Sequence, residues 1–190
     1  VISNAQPGFC ITDAGRKAAV WAWYTTDMEI QPALHVHTKL LQNYFRSLPA
    51  SVPVIAPRRS RWVTRLKGAR TVVGVRPWEA LSVGGVRVTA VPALHMATTV
   101  GFVMEAPDGV AYFAGDTYHR PFMREVGARF RLDVALMPVT TYRIPMTMGE
   151  RGAVRAVRDL RVPCVIPIHL GLQPRSPLLR TRQTPEGFSA

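Results

Sequence analysis

The sequence predicts an α/β fold in which mixed β-sheets are covered by helices. Apolar runs at residues 100–106 and 110–114 flank Pro107-Asp108-Gly109, where proline presets a turn and glycine tolerates unusual backbone angles, so we expect a β-hairpin. Further along, buried apolar runs alternate with amphipathic stretches, a pattern typical of parallel strands joined by helices. Antiparallel and parallel pairing in one chain predicts a layered α/β arrangement.

The first half of the chain predicts strands and helices in turn. Residues 9–12 and 18–24 have the apolar character of two strands, and residues 39–48 form an amphipathic helix because their apolar side chains recur at helical spacing. Those side chains are Leu40, Leu41, Tyr44, Phe45 and Leu48. Residues 52–56 then predict a short buried strand, and residues 59–68 predict a helix that ends at its glycine.

The second half continues with short strands and two helices. Strands are predicted at residues 71–75, 86–91, 100–106, 110–114, 134–139 and 164–168. Helices are predicted at residues 120–127 and 149–161. The last two strands are uninterrupted apolar runs, which predicts that both are buried. Cys164 begins the final one, so we expect its thiol to be free and buried.

Length and composition favour one compact domain without a membrane span. The chain has 190 residues, of which 47% are hydrophobic. No apolar run reaches the roughly 18 residues that a membrane helix needs, and the N-terminus lacks the order of a signal peptide. We therefore expect a soluble, cytoplasmic protein.

The chain is strongly basic, with 24 Lys and Arg against 12 Asp and Glu and a formal charge of +12. Its arginines are scattered, apart from a cluster at residues 58–61 and a helically spaced group at Arg151, Arg155, Arg158 and Arg161. A scattered charge predicts weak, non-specific binding of polyanions. We therefore favour a solvated basic surface over a nucleic-acid site.

Histidines and one aspartate follow the predicted strands. His35, His37, His95 and His169 stand at strand-to-loop junctions, and Asp116 directly follows an apolar strand. Each of them taken alone would be an ordinary polar residue at the end of a strand. Imidazole and carboxylate are ligands of zinc, and several of them at neighbouring strand ends converge on one rim. The pattern predicts a metal site, with manganese or iron as alternatives to zinc.

The motifs, taken in order, resemble the metallo-β-lactamase superfamily, and within it the branch of ascorbate phosphate lactonases and N-acylphosphatidylethanolamine phospholipase D. The matching stretches are residues 35–37, 52–57, 91–95, 113–117, 133–138 and 166–171. The resemblance implies an αββα sandwich over a single domain of residues 1–190. Residues 1–34 match the family's N-terminal strands poorly, and residues 171–190 form a tail.

The resemblance also implies a set of metal ligands. His35, His37 and His95 would hold a first ion, Asp116 would bridge, and His169 would serve a second ion. Two further second-site ligands are missing, because the family's aspartate and histidine are replaced here by Lys39 and Leu40. The Lys39 ammonium would repel a second cation and could pair with Asp116. We therefore predict one zinc ion in preference to two.

With these ligands, the resemblance implies a hydrolase of an ester, lactone or phosphodiester that uses a metal-bound water. Asp116 would orient or deprotonate the water, and His119 would protonate the leaving group, unless it is an exposed loop histidine. Lys39, Tyr142 and Arg143 are predicted to face a small substrate, and Arg143 would bind an anionic group on it.

A second function class remains open. The lost pair of ligands also fits a catalytically degenerate family member that keeps the fold as a binding or assembly module. The short N-terminal part would leave an open sheet edge, from which we hypothesise self-association into a homo-oligomer.

Overall fold

The computed structural model describes residues 8–13, 16–21, 42–43, 45–96 and 98–169. Within these ranges lie strands β1 Gly8–Asp13, β2 Arg16–Trp21, β3 Pro53–Pro57, β4 Thr71–Val75, β5 Ala80–Val83, β6 Val86–Pro92, β7 Val100–Ala106, β8 Gly109–Phe113, β9 Val134–Pro138 and β10 Cys164–Ile168. The helices are α1 Arg61–Leu66, which follows a 3₁₀ turn at Arg58–Ser60, α2 Phe122–Arg129 and α3 Glu150–Leu160. Residues 42–43 and 45–47 are also helical. The predicted site residues His35, His37, Lys39 and Leu40 and the tail from residue 171 lie outside the described residues.

The described strands form two mixed sheets. The first has the order β1-β2-β3-β4, with an antiparallel β1/β2 hairpin and parallel pairing of β2 with β3 and of β3 with β4. The second has the order β10-β9-β8-β7-β6-β5. Its strands β5 to β8 pair antiparallel, whereas β8, β9 and β10 pair parallel. The predicted α/β fold with mixed sheets is confirmed.

The described residues form three apolar core layers. Between the sheets, Ile55 and Val75 of the first sheet pack with a cluster from the second that includes Phe102 and Phe113. Outside the first sheet, Phe45, Val54, Ala56, Ala69 and Val72 are buried beneath α1. Outside the second sheet, Tyr112 and Met137 of the sheet pack in one buried cluster with Met123 of α2 and Ala153 and Ala156 of α3. Each large side chain buried in this way contributes roughly 1.5–3 kcal/mol. The order of layers is helix, sheet, sheet, helix.

Parallel pairing in the second sheet determines where the functional loops lie. Parallel neighbours need a crossover connection, which α2 provides between β8 and β9 and α3 provides between β9 and β10. The carboxyl ends of these three strands therefore lie along one edge of the sheet. The two helices approach closely at Gly127, where an added Cβ would stand 2.5 Å from the main-chain oxygen of Asp159.

The structure also corrects two of the sequence predictions. Strand β5 was not predicted, because its four residues alternate between exposed and half-buried and carry little apolar signal. It forms a hairpin with β6 through Gly84 and Gly85, whose φ angles are 55° and 79°. The buried thiol predicted for Cys164 is wrong, because β10 is an edge strand of its sheet and Cys164 is exposed. Ile166, in the same strand, is 47% exposed.

Candidate metal centre

The loops that follow β8, β9 and β10 carry Asp116, Thr140 and His169 to one edge of the second sheet. Main-chain hydrogen bonds continue the ladder past the strand ends, from Ala114 N to Leu136 O at 2.9 Å and from Val139 N to Ile168 O at 3.4 Å. The three loops therefore leave the sheet side by side. Two predicted ligands, Asp116 and His169, come together here although they are far apart in the sequence.

His169 is oriented by its neighbour Thr140. Its Nδ1 lies 3.1 Å from the main-chain oxygen of Thr140, and the Thr140 hydroxyl donates to the main-chain oxygen of His169 at 2.5 Å. Because a carbonyl oxygen only accepts, Nδ1 carries the proton and Nε2 of the neutral ring holds a free lone pair. Burial lowers the pKa of His169, which favours this neutral form.

Asp116 stands opposite this lone pair. Its Oδ2 lies 3.7 Å from His169 Nε2, and its side chain is only 8% exposed. Gly115, with a φ of 61°, allows the left-handed turn that brings Asp116 off the end of β8. Burial raises the pKa of the Asp116 carboxyl well above its usual value.

Tyr142, on the loop after β9, also borders the site. Its ring meets the edge of the His169 ring, with centroids 5.8 Å apart. Burial raises the pKa of the Tyr142 phenol, and the negative charge of Asp116 raises it further. Arg143 follows on the same loop and is exposed.

His95 reaches the same region from the loop after β6. That loop is held by two hydrogen bonds, from Leu94 N to Thr117 Oγ1 and from Tyr118 N to Leu94 O, both 2.9 Å. The His95 ring stacks on Tyr118 with centroids 6.5 Å apart. Burial lowers the pKa of His95, and electrostatic repulsion from His169 lowers it further. Both imidazoles therefore favour the neutral form that binds metals.

This arrangement suits a cation. The His169 Nε2 lone pair and the Asp116 carboxylate are both electron donors, and their separation of 3.7 Å is longer than a hydrogen bond. It matches the spacing of two donors that each lie about 2.0–2.2 Å from a shared ion. The hydrogen bond from His169 Nδ1 to a main-chain carbonyl is the outer contact that metal-binding histidines usually make. Among the described residues alone, no three His, Cys, Asp or Glu side chains form a metal-binding group.

His119 pairs with a residue of α3. Its Nε2 lies 2.9 Å from Asp159 Oδ2 on α3, and Arg124 of α2 approaches the other oxygen of Asp159 at 3.2 Å. The contact engages Nε2 of the ring, and among the described residues no hydrogen bond joins His119 to Asp116 or His169, so the predicted acid role gains no support from the geometry. It stays a prediction, as do the ligand roles of His35 and His37 and the substrate contact of Lys39.

Several threonines and one tyrosine that shape the site were not predicted. Thr141 Oγ1 accepts hydrogen bonds from Met146 N at 2.9 Å and Thr147 N at 3.2 Å, which folds the loop after β9 back on itself. The Tyr118 hydroxyl donates to Pro145 O at 3.0 Å and so joins this loop to the His95 loop. Adjacent threonines after a buried strand are a signal for such a hydrogen-bonded loop.

A comparison with known protein families matches residues 31–170 to the family described as "Beta-lactamase superfamily domain". The chain belongs to the β-lactamase superfamily. A UPF0173 metal-dependent hydrolase of Pyrobaculum arsenaticum is 30% identical over 202 residues, which cover 96% of this chain and 86% of that protein. The superfamily assignment made from the ordered motifs is confirmed, and the relatives support a metal-dependent hydrolase. The narrower branch assignment stays a prediction.

Solved structures of other proteins show the same fold. Igni18, a metallo hydrolase of Ignicoccus hospitalis, matches with a TM-score of 0.64 at 19% identity, over 92% of this chain and 82% of that chain. The metallo-β-lactamase fold protein YhfI of Bacillus subtilis matches with a TM-score of 0.65 at 11% identity, over 88% and 81% of the two chains. At sequence identities this low, the structural similarity establishes the fold alone. None of the described helices is long and apolar enough to span a bilayer.

Proposed function

We propose that this superfamily member hydrolyses an ester, lactone or phosphodiester bond in a small anionic molecule. The observation that carries the proposal is the buried pair of donors, His169 Nε2 and Asp116 Oδ2, which face each other at 3.7 Å while His169 Nδ1 is held by Thr140. A buried carboxylate opposite an imidazole lone pair is costly unless a cation lies between them. The site geometry therefore supports metal-dependent chemistry.

His35, His37 and His95 would hold the first ion, Asp116 would bridge, and His169 would serve the second position, where two further ligands are missing. One zinc ion is therefore expected in preference to two, with manganese or iron as alternatives. When bound, the ion supplies Lewis acidity to the substrate oxygen and lowers the pKa of an attacking water.

The chain's own residues would orient the reactants. The Asp116 carboxylate faces His169 Nε2 and would accept the proton of the attacking water. Tyr142, packed against His169, would donate a hydrogen bond to the substrate. Arg143, exposed on the next position of the loop, would pair with an anionic group such as phosphate or carboxylate.

The test measures metal and turnover together. Protein purified without chelator is analysed for zinc, manganese and iron, and is assayed on bis(p-nitrophenyl) phosphate and on a panel of lactones. We expect His95→Ala and His169→Ala each to lower both metal content and turnover. Cys164→Ser is the matched control, because it removes an exposed free thiol, a side chain of metal-ligating type, that lies outside the site. Unchanged metal content in His95→Ala would contradict the proposed ligand set.

The lost ligand pair at Lys39 and Leu40 favours a second function, that of a degenerate binding or assembly module. Folded protein that contains no metal and shows no turnover would support this second function. We infer that the chain self-associates through β1, which lies at one end of the strand order in the first sheet. Sedimentation at increasing concentration tests this, and a strict monomer would refute it.

A further inference from the structure

The surface of α1 and the 3₁₀ turn before it combines positive charge with exposed apolar side chains. We define the α1 face by six residues, Arg58, Arg59, Arg61, Trp62, Arg65 and Leu66. They form two adjacent rows at helical spacing, one with Arg58, Arg61 and Arg65 and the other with Arg59, Trp62 and Leu66. Trp62 is 64% exposed and Leu66 is 73% exposed.

The opposite side of α1 packs against the protein core. Val63 packs against the core cluster that includes Phe45 and Val72, and the buried Thr64 hydroxyl donates to Ser60 O at 3.1 Å. Packing against β4 holds the arginine row in place, since a Cβ added at Gly74 would lie 3.1 Å from the Cα of Arg58. Trp62 and Leu66 therefore do not contribute to the core, and their exposure costs solvation free energy.

The stretch of chain that carries the α1 face has basic residues and no acidic ones. The sequence has no aspartate or glutamate between Glu29 and Glu79. Arg46 adds a further positive charge beside the end of α1, because a Cβ added at Gly68 would stand 2.7 Å from its Cγ. By contrast, α3 is also rich in arginine but carries Glu150 and Asp159 among them. Of the described carboxylates, none pairs with an arginine of the α1 face.

We propose that the α1 face binds an anionic membrane surface. Arginines would contact the phosphates of acidic lipid headgroups, and Trp62 and Leu66 would enter the boundary between headgroups and acyl chains. A short amphipathic surface with Trp and Leu beside basic residues is typical of interfacial binding. This docking is peripheral and does not depend on the proposed hydrolase activity.

Charge and chemistry favour this partner over two others. A second copy of the chain would bring the same arginines against one another, and the resulting repulsion opposes a symmetric dimer through this face. A nucleic acid would satisfy the arginines and could stack on Trp62, but it offers an aliphatic side chain such as Leu66 no apolar environment. A lipid interface satisfies both the charges and the exposed apolar pair.

The experiment measures co-sedimentation of the whole chain with large vesicles at low salt. We expect binding to vesicles that contain phosphatidylglycerol and none to pure phosphatidylcholine. Trp62→Ala with Leu66→Ala should weaken partitioning by at least about tenfold, because the apolar contribution is lost. Val154→Ser with Arg155→Gln is the matched control, since it removes a 38% exposed apolar residue and an exposed arginine from α3, and binding should be unchanged.

A second measurement reports on Trp62 itself. Tryptophan emission should shift to shorter wavelength on adding phosphatidylglycerol vesicles, and Trp62→Phe should keep the binding but lose most of the shift. The altered side chains are exposed, so the variants should keep the circular dichroism spectrum of the parent. Equal vesicle binding by the double α1 variant and its parent would overturn the proposal. So would an RNA oligonucleotide that displaces the vesicles at equal salt, or a dimer that the α1 substitutions dissociate.

Discussion

His169 and Asp116 face each other across 3.7 Å, with the lone pair of His169 Nε2 directed at a buried carboxylate. The direction of that lone pair depends on Thr140, which accepts from His169 Nδ1 and donates its hydroxyl to the His169 main chain. The backbone of His169 is itself left-handed, with a φ of 62°. Loop geometry therefore aligns the two donors before any cation binds.

Removing the Thr140 hydroxyl should weaken metal binding. Thr140→Val keeps the side-chain shape but loses the 2.5 Å hydrogen bond to His169 O, so the imidazole is held less firmly. We expect metal affinity to fall by about tenfold, the lower end of the effect of outer-shell partners. Competition with a chromophoric chelator measures it. Thr71→Val is the control, because Thr71 makes a similar bond to Ala50 O on an exposed surface away from the site. Equal losses in both variants would contradict a specific role for Thr140.

Asp159 should stabilise the fold at neutral pH. The hydrogen bond from His119 lowers the pKa of Asp159, and contacts from Arg124 lower it further. Its folded pKa lies below the unfolded value of about 3.9, so its contribution is present above that pH and is lost as the pH falls through the folded pKa. We expect Asp159→Asn to lower the free energy of unfolding by about 1–2 kcal/mol at pH 7.

Urea unfolding of Asp159→Asn and its parent, repeated at decreasing pH, measures this difference. It should shrink as the pH falls below about 4, where the unfolded chain takes up a proton at Asp159, and should vanish once the pH is below the lowered folded pKa of Asp159. Glu125→Gln is the control, since it disrupts the exposed pair between Glu125 and Arg129 on α2 and should change stability by less than about 0.5 kcal/mol. A difference that stays constant down to the lowest pH would show that charge is not the cause.

Gly127→Ala should destabilise the contact between α2 and α3. The added Cβ would lie 2.5 Å from Asp159 O and 2.6 Å from Leu160 O, and main-chain atoms of a helix cannot move aside easily. We expect a loss of about 1–3 kcal/mol, although alanine favours helices more than glycine does. Thermal or urea unfolding measures it, with Ala128→Ser at the next, exposed position of α2 as control. An increase in stability would mean that the two helices are separated further than described.

Restoring the missing ligand pair should create a second metal site. Lys39→Asp with Leu40→His would complete the superfamily's first motif and remove a positive charge that repels a second cation. We expect about one more equivalent of zinc or manganese than in the parent, and increased hydrolysis of a generic phosphodiester or lactone. Metal analysis after dialysis measures it. A folded double variant with the metal content of its parent would show that residues 39 and 40 do not face the site.

Much of the fold could be predicted because its elements carry their own local signals. The hairpin of β7 and β8 follows from two apolar runs around a proline-glycine turn, and β4 and β10 have the predicted bounds. Strand β5 could not be predicted, because its pairing depends on β6 and its side chains are too exposed to show a pattern. The exposure of Cys164 was mispredicted for a related reason, since an apolar run does not reveal whether a strand lies at the edge of its sheet.

The sequence by itself determined the superfamily and predicted the donor residues, because strand-end histidines and an aspartate in a fixed order are properties of the chain. Which of these side chains lie close together was decided by the tertiary structure alone. Parallel pairing of β8, β9 and β10 brings Asp116 to His169, and the Thr140 carbonyl selects the imidazole nitrogen that is left free. The same packing turns His119 toward Asp159 on α3 and leaves Trp62 and Leu66 exposed. Side-chain direction depends on neighbours distant in sequence, so local pattern cannot specify it.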